Sequence, residues 1–324
     1  MNCRICITYL LGCLLINACN APQETNPTNY IVTEKDLIPE GLAFDAATQT
    51  IYVSSTWKRK IIKIDKHGKV LDFIKESQYG IKSVVGMEVD SKRNSLWAIS
   101  SEANEVLPLN NPGELQWRSS VYQFDLSNGT LIKEYKLNRD SVFLNDLCVA
   151  DDGTVYVTET NQKALYTIKP GADTVELFVA LSPYRFINGI CFTDKASVLY
   201  TSCVEGILSI NLKTRNYSLL PVAADIKAGG VDGLSFHNNY FIAHQSSKIV
   251  RLYLSSNRDS IIRSDTLDYG KEFDSSTTGE VWGDHYYYIV NSQISSGVDY
   301  NTSMIKPMDS LENIIIRKTK LSHE

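Results

Sequence analysis

Short, nearly continuous apolar runs recur along most of the chain and are punctuated by turn residues. Six of them, IYVSS from Ile51, LWAIS from Leu96, VYVTE from Val155, LYTSC from Leu199, YFIAH from Tyr240 and YYYIV from Tyr286, are rich in aromatic and β-branched residues. That composition and length predict β-strands. Each run is preceded by a shorter apolar segment with its own head: EGLAF from Glu40, VGMEV from Val85, NDLCV from Asn145, NGICF from Asn188, DGLSF from Asp232 and TGEVW from Thr278. Each run but the last is followed by a third strand-like segment (KIIKID, SVYQFD, ALYTIK, GILSIN, KIVRLY) and a fourth (VLDFIK, LIKEYK, VELFVA, YSLLPV, SIIRSDTL).

The heads are spaced by 45, 60, 43, 44 and 46 residues, with 46 more to the C-terminus. A period of this length with four strands per unit predicts an all-β fold, a six-bladed β-propeller with four-stranded antiparallel blades. The sixth unit is irregular after Gln293, but ENIIIRKTKL at 312–321 can supply a late strand. NYIVTE at 29–34 can add the outer strand that closes the ring and removes free edges. The 60-residue interval contains one long insertion, EANEVLPLNNPGELQWRSS. It is expected over the face where the heads lie, with Trp117 as a candidate substrate wall.

The N-terminus follows a different pattern. Arg4 precedes a short apolar stretch from Ile5 to Ile16, too short to span a bilayer, that ends in Ile16-Asn17-Ala18-Cys19 and then a polar stretch. It resembles a bacterial lipoprotein signal. The expected organisation is a signal peptide at 1–18, a lipidated tether at 19–29 and a propeller at 30–324. The expected location is the bacterial cell envelope, held to a membrane only through lipid on Cys19 and facing the periplasm or the cell surface. Of seven cysteines, Cys148, Cys191 and Cys203 remain beyond this segment, in apolar runs that suit small buried side chains. The net charge of −5 and pI near 5.6 provide no basic stripe for nucleic acid. A monomer acting on a small molecule is expected.

The first position of each head carries the candidate chemistry: Glu40, Val85, Asn145, Asn188, Asp232 and Thr278. Propeller symmetry places these six around one axis. Asn or Asp before Gly is also an ordinary turn pair, so a single head would carry little weight. Four oxygen-bearing heads, Glu40, Asn145, Asn188 and Asp232, suit a hard divalent cation such as Ca²⁺. No His or Cys stands in the register to favour Zn²⁺.

The heads PEGLAF, LNDLCV, INGICF and VDGLSF resemble those of the senescence-marker-protein/gluconolactonase group, whose relatives include paraoxonase and diisopropyl fluorophosphatase. The resemblance covers 30–321. It implies a Ca²⁺ or other divalent ion held by Glu40, Asn145, Asn188 and Asp232, and metal-assisted hydrolysis of a lactone or ester with Asp232 as base or nucleophile. Leu42-Ala43-Phe44 departs from the proline and tryptophan that many gluconolactonases carry there, and TTGEVWGDHYYYIVNSQ matches no catalytic motif. A second acid or base is expected at the ends of second strands, at Glu159, His244 or Asn291. His67 and His285 fall in turns, and Arg185 lies close enough to Asn188 to meet an anionic substrate. The competing reading is a binding propeller in which the metal is only structural.

Overall fold

The computed structural model describes residues 29–102, 118–137, 139, 141–299, 301–302 and 304–321. The signal peptide, Cys19, nearly all of the tether, and residues 103–117 of the insertion, with Trp117, lie outside the described residues. Six four-stranded antiparallel sheets follow one another along the chain as six blades. Their innermost strands are Leu42–Asp45, Ser83–Asp90, Leu144–Val149, Ile190–Phe192, Leu234–His237 and Gly279–Trp282. Each packs against the next around the axis, and the sixth packs against the first. Among the described residues there is no α-helix.

The second strands coincide with the apolar runs read from the sequence, for example Thr50–Ser54, Val155–Glu159 and Tyr240–Gln245. They are apolar on both faces because each blade is a slice between two neighbours. Side chains alternate along a strand. Ile51 and Val53 therefore pack toward blade 6, whereas Tyr52 between them packs toward blade 2. Likewise Phe241 and Ala243 face blade 4, while Tyr240 and Ile242 face blade 6. The hydrophobic core is thus a set of six inter-blade layers rather than one central mass, and the axis is left to the heads.

The ring closes as the sequence suggests, with shorter bounds. Strand Ile314–Lys320 pairs with His285–Ile289 as the third strand of blade 6, and Asn29–Val32 pairs with it as the outermost. The first described strand thereby joins the last, so closure needs a register across the whole chain: Val32 opposes Ile314 and Asn29 opposes Arg317.

The glycine in second position of five heads has a packing cause. A Cβ on Gly86 would lie 2.6 Å from the Asn145 carbonyl oxygen, and one on Gly233 would lie 2.5 Å from the Thr277 carbonyl oxygen. Gly41, Gly86, Gly189 and Gly233 let the next blade's head approach the axis, whereas Gly279 is crowded by Tyr287 O of its own blade. The backbone then links the heads: Gly189 N–H donates to Asp232 O (3.0 Å), Gly233 N–H to Thr277 O (2.6 Å), and Thr277 Oγ1 to Glu40 O (2.7 Å). Substituting Gly86→Ala should therefore displace the blade-3 head and cost about 1–3 kcal/mol, in the range of overpacked sites. Denaturant unfolding checks this, and an unchanged midpoint would show that the heads are not this tightly fitted.

Candidate metal centre at the propeller mouth

The four oxygen-bearing heads come together. Glu40, Asn145, Asn188 and Asp232 line one small cavity of about 10 Å³ at the mouth of the axis, bounded also by Asp146 and Thr278. That is space for about one water-sized body. Each head sits at the start of its innermost strand, so the four side chains reach the axis from four different blades at one level.

Hydrogen bonds orient the two carboxamides. Asn188 Nδ2 donates to Asp232 Oδ1 (2.8 Å), and Asn145 Nδ2 donates to Thr160 Oγ1 (3.2 Å). Thr160 Oγ1 donates in turn to the Ile187 carbonyl (2.7 Å), so it is fixed as the acceptor for Asn145. With their N–H groups committed, both amides have a carbonyl oxygen left over as a ligand. Glu40 supplies the most telling atom. Its Oε2 is fully enclosed and has no hydrogen-bond partner. A buried carboxylate oxygen without a donor is costly, and a cation is the partner that would offset the cost.

No three His, Cys, Asp or Glu side chains among the described residues gather closely enough to hold a metal by themselves. Any ion here therefore depends on the two carboxamides, which makes the donor set all-oxygen and suits a hard cation. Val85 supplies no oxygen, and Thr278 stands at the sixth position.

Three acids that the head register does not reveal stand at or behind the mouth. Asp146 replaces the glycine of the third head; its Oδ1 accepts from Leu147 N–H (2.9 Å) and its Oδ2 from Ile190 N–H (3.3 Å). Glu88 and Glu280 line a channel cavity of about 210 Å³, together with Asp146, Cys148 and Cys191. The exception in the ND head was the sequence signal for Asp146. Glu88 stands at the fourth head position, which carries Ala, Cys, Ser or Val in the other blades, and Glu280 at the third, which carries Leu, Met or Ile, so neither the repeat nor a single strand alternation marks both.

Burial dominates the electrostatics of this column. It raises Asp232 to about 6 against the opposing Asn188 hydrogen bond, and Asp146 to about 7 against its two N–H donors. Burial and then the Asp146 charge bring Glu280 to about 7. Glu40 is pushed well above the carboxylate range by burial and by Asp232 and Asp146, and Glu88 by burial and by Glu280.

The expected acid–base partners do not line this cavity. Glu159 is fully buried and its carboxylate accepts the N–H groups of Phe143 (2.8 Å), Asn161 (3.2 Å) and Gln162. It clamps two loops beside the Asn145 head. His244 is also fully buried, with Nδ1 on Ser276 Oγ (2.9 Å) and Nε2 on Tyr286 Oη (2.7 Å). Ser276 Oγ is committed as a donor to Ile289 O (2.5 Å), so His244 Nδ1 carries the proton and Nε2 accepts from Tyr286. Burial lowers His244 to about 3, which keeps it neutral. Its backbone, rather than its ring, meets the site: Asp232 N–H donates to His244 O (3.0 Å). Glu159 is thus held by the loops of its own blade and His244 by Ser276 and Tyr286 of blade 6, neither of them lining the cavity. Asn291 is likewise occupied by the Asn313 carbonyl and Ile315 N–H. Arg185 pairs with Glu205 (2.8 Å), and His285 with Asp284 (2.7 Å) at the opposite end of blade 6. Cys148, Cys191 and Cys203 are free and buried.

No protein-family model matches the sequence, and no curated protein matches it. Solved structures do. The Malassezia sympodialis allergen Mala s 1 is 14% identical with a TM-score of 0.66, covering 90% of this chain and 96% of its own. A gluconolactonase from Xanthomonas campestris is 11% identical with a TM-score of 0.59, covering 87% and 86%. A calcium-binding protein, regucalcin, from Agrobacterium tumefaciens is 14% identical with a TM-score of 0.59, covering 91% and 95%. The chain is a six-bladed propeller of the architecture these proteins share. The resemblance drawn from the heads to the gluconolactonase group holds at the level of three-dimensional fold.

The buried acids set a pH dependence. Their native pKa values lie above the ordinary carboxylate range, so the native state holds protons that the unfolded state has released. Stability from this source is fully present below about pH 4 and lost as pH rises through about 6 to 7. With divalent cations chelated, the melting temperature should fall between pH 5 and 8, and less steeply in Asp146→Asn. An identical slope in the variant would remove the column as its cause.

Proposed function

We propose that this protein is a divalent-metal-dependent hydrolase, with Ca²⁺ as the preferred ion, acting at the propeller mouth on a lactone-like or ester small molecule. The observation that carries the reading is the enclosed, partnerless Glu40 Oε2 facing two oriented amides and Asp232 across a cavity large enough for about one ion. Glu40 and Asp232 would hold the ion through carboxylates, and Asn145 and Asn188 through amide carbonyls. The ion supplies Lewis-acid polarisation of a carbonyl when bound.

The chain's own residues supply the rest. Asp232, raised to about 6, is largely deprotonated at neutral pH and basic enough to take a proton from water or to attack as a carboxylate. Asn188 fixes which Asp232 oxygen stays free, since its N–H occupies Oδ1. Asp146, near 7, is a second proton-exchanging group on the same cavity and replaces Glu159 and His244 as the acid–base partner. A gluconolactonase among the fold relatives supports the choice of lactone.

The test is hydrolysis of a panel of lactones and esters with and without chelator. Activity should require Ca²⁺. Asp232→Asn should lose at least about tenfold in kcat, since a general base is worth about 10²–10⁴, while Ca²⁺ still raises its melting temperature. If the wild type binds Ca²⁺ and hydrolyses nothing, the metal is structural and the mouth belongs to a binding propeller.

A further inference from the structure

Each of the four oxygen-bearing heads is tied to the blade before it by a hydroxyl. Ser119 Oγ donates to Val142 O and accepts from Leu144 N–H (both 3.2 Å), which fixes the approach to Asn145. Thr160 Oγ1 donates to Ile187 O (2.7 Å), one residue before Asn188, and Ser202 Oγ to Val231 O (2.9 Å), one residue before Asp232. Thr277 Oγ1 donates to Glu40 O (2.7 Å) and closes the ring. All four of these residues are buried. Among the hydrogen bonds of the described residues, Thr160 alone of the four also meets a head's side chain, accepting from Asn145 Nδ2 (3.2 Å).

That second bond decides what Asn145 presents to an ion. An amide has one end that ligates and one that repels: the carbonyl oxygen is a hard donor, whereas the NH₂ group turns two positive hydrogens outward. For Asn188 the choice is made within the donor set itself, because its Nδ2 donates to Asp232 Oδ1 (2.8 Å). For Asn145 it is made by Thr160. The single hydroxyl proton of Thr160 is committed to Ile187 O, so toward Asn145 this oxygen can only accept. The amide must therefore give its NH₂ to Thr160 and its carbonyl to the cavity. Thr160 follows the second strand of blade 3, Val155–Glu159, and its backbone is held: its N–H donates to Phe143 O (2.9 Å), and the Glu159 carboxylate binds the N–H groups of Phe143, Asn161 and Gln162 beside it. Asn145 and Thr160 are 4% and 6% exposed, which leaves little room for water to replace the hydroxyl.

We propose that Thr160 is a positioning residue of the metal centre: it selects the ligating end of Asn145 and, through the same hydroxyl, couples that choice to the backbone just before Asn188. Thr160 does not line the cavity and acts through Asn145. The proposal rests on the metal site and is independent of the hydrolase reading.

Calorimetric titration with Ca²⁺ at neutral pH tests it without a substrate. Thr160→Val keeps the shape and removes the hydroxyl. It should weaken Ca²⁺ binding at least about tenfold, the low end for residues that orient metal ligands, while Thr160→Ser stays within about threefold of the parent. The decisive arm uses Asn145→Asp. A carboxylate offers an oxygen at either end and needs no orienting partner, so adding Thr160→Val to Asn145→Asp should change the affinity by less than about threefold. Unchanged affinity in Thr160→Val would overturn the proposal. So would an equal loss with and without Asn145→Asp, since the cause would then be loosening of the Ile187 backbone. If Thr160→Val gives no cooperative melt in chelator, Thr160→Ala makes the same two comparisons. A wild type that binds no Ca²⁺ would refute the metal centre itself, and this role with it.

Discussion

The most demanding constraint in this molecule is the concentration of acid along the propeller axis. Glu40, Asp232, Asp146, Glu280 and Glu88 are half-buried near one another, and one oxygen of Glu40 is enclosed without a donor. Leaving a buried polar atom unpaired costs about 1–3 kcal/mol, and more for a charged group. Folding can meet that cost by protonation or by capturing a cation. The raised pKa values express the first route, and the uncommitted carbonyl oxygens of Asn145 and Asn188 favour the second. That one cost connects the stability of the ring with the chemistry proposed for its mouth.

The rest of the architecture keeps these groups together. Six inter-blade layers bury the apolar runs, so polar heads converge at the mouth of the axis where a single-core domain would place leucine. Glycines behind the heads allow the approach, and backbone bonds from Gly189 to Asp232 and from Gly233 to Thr277 hold adjacent heads in register. Pairing of Asn29–Val32 with Ile314–Lys320 ties the first blade to the last, so the spacing of Glu40 from Asp232 depends on residues far from either.

Much of this was legible in the sequence because its signals are local and repeated. Apolar runs at a steady period define blades, and the first residue of each head defines the axis. Asp146, Glu88 and Glu280 were not legible, since they break the repeat and their meeting depends on residues 58 to 192 positions apart packing around one channel. Glu159 and His244 were read as candidate acids or bases because their strands end on the mouth face. Whether a side chain there turns inward to the cavity or sideways to a loop is decided by neighbours such as Phe143 N–H and Ser276 Oγ, which periodicity does not describe.

The central claim is that a cation satisfies the enclosed oxygen of Glu40. A crystal structure of the protein grown at neutral pH in Ca²⁺ tests it most directly. The account expects one Ca²⁺ with Glu40 Oε2 and oxygens of Asn145, Asn188 and Asp232 at about 2.3–2.6 Å, water completing the shell. A Glu40 carboxyl hydrogen-bonded to water or to a rearranged neighbour, with no ion among these four residues at saturating Ca²⁺, would contradict it.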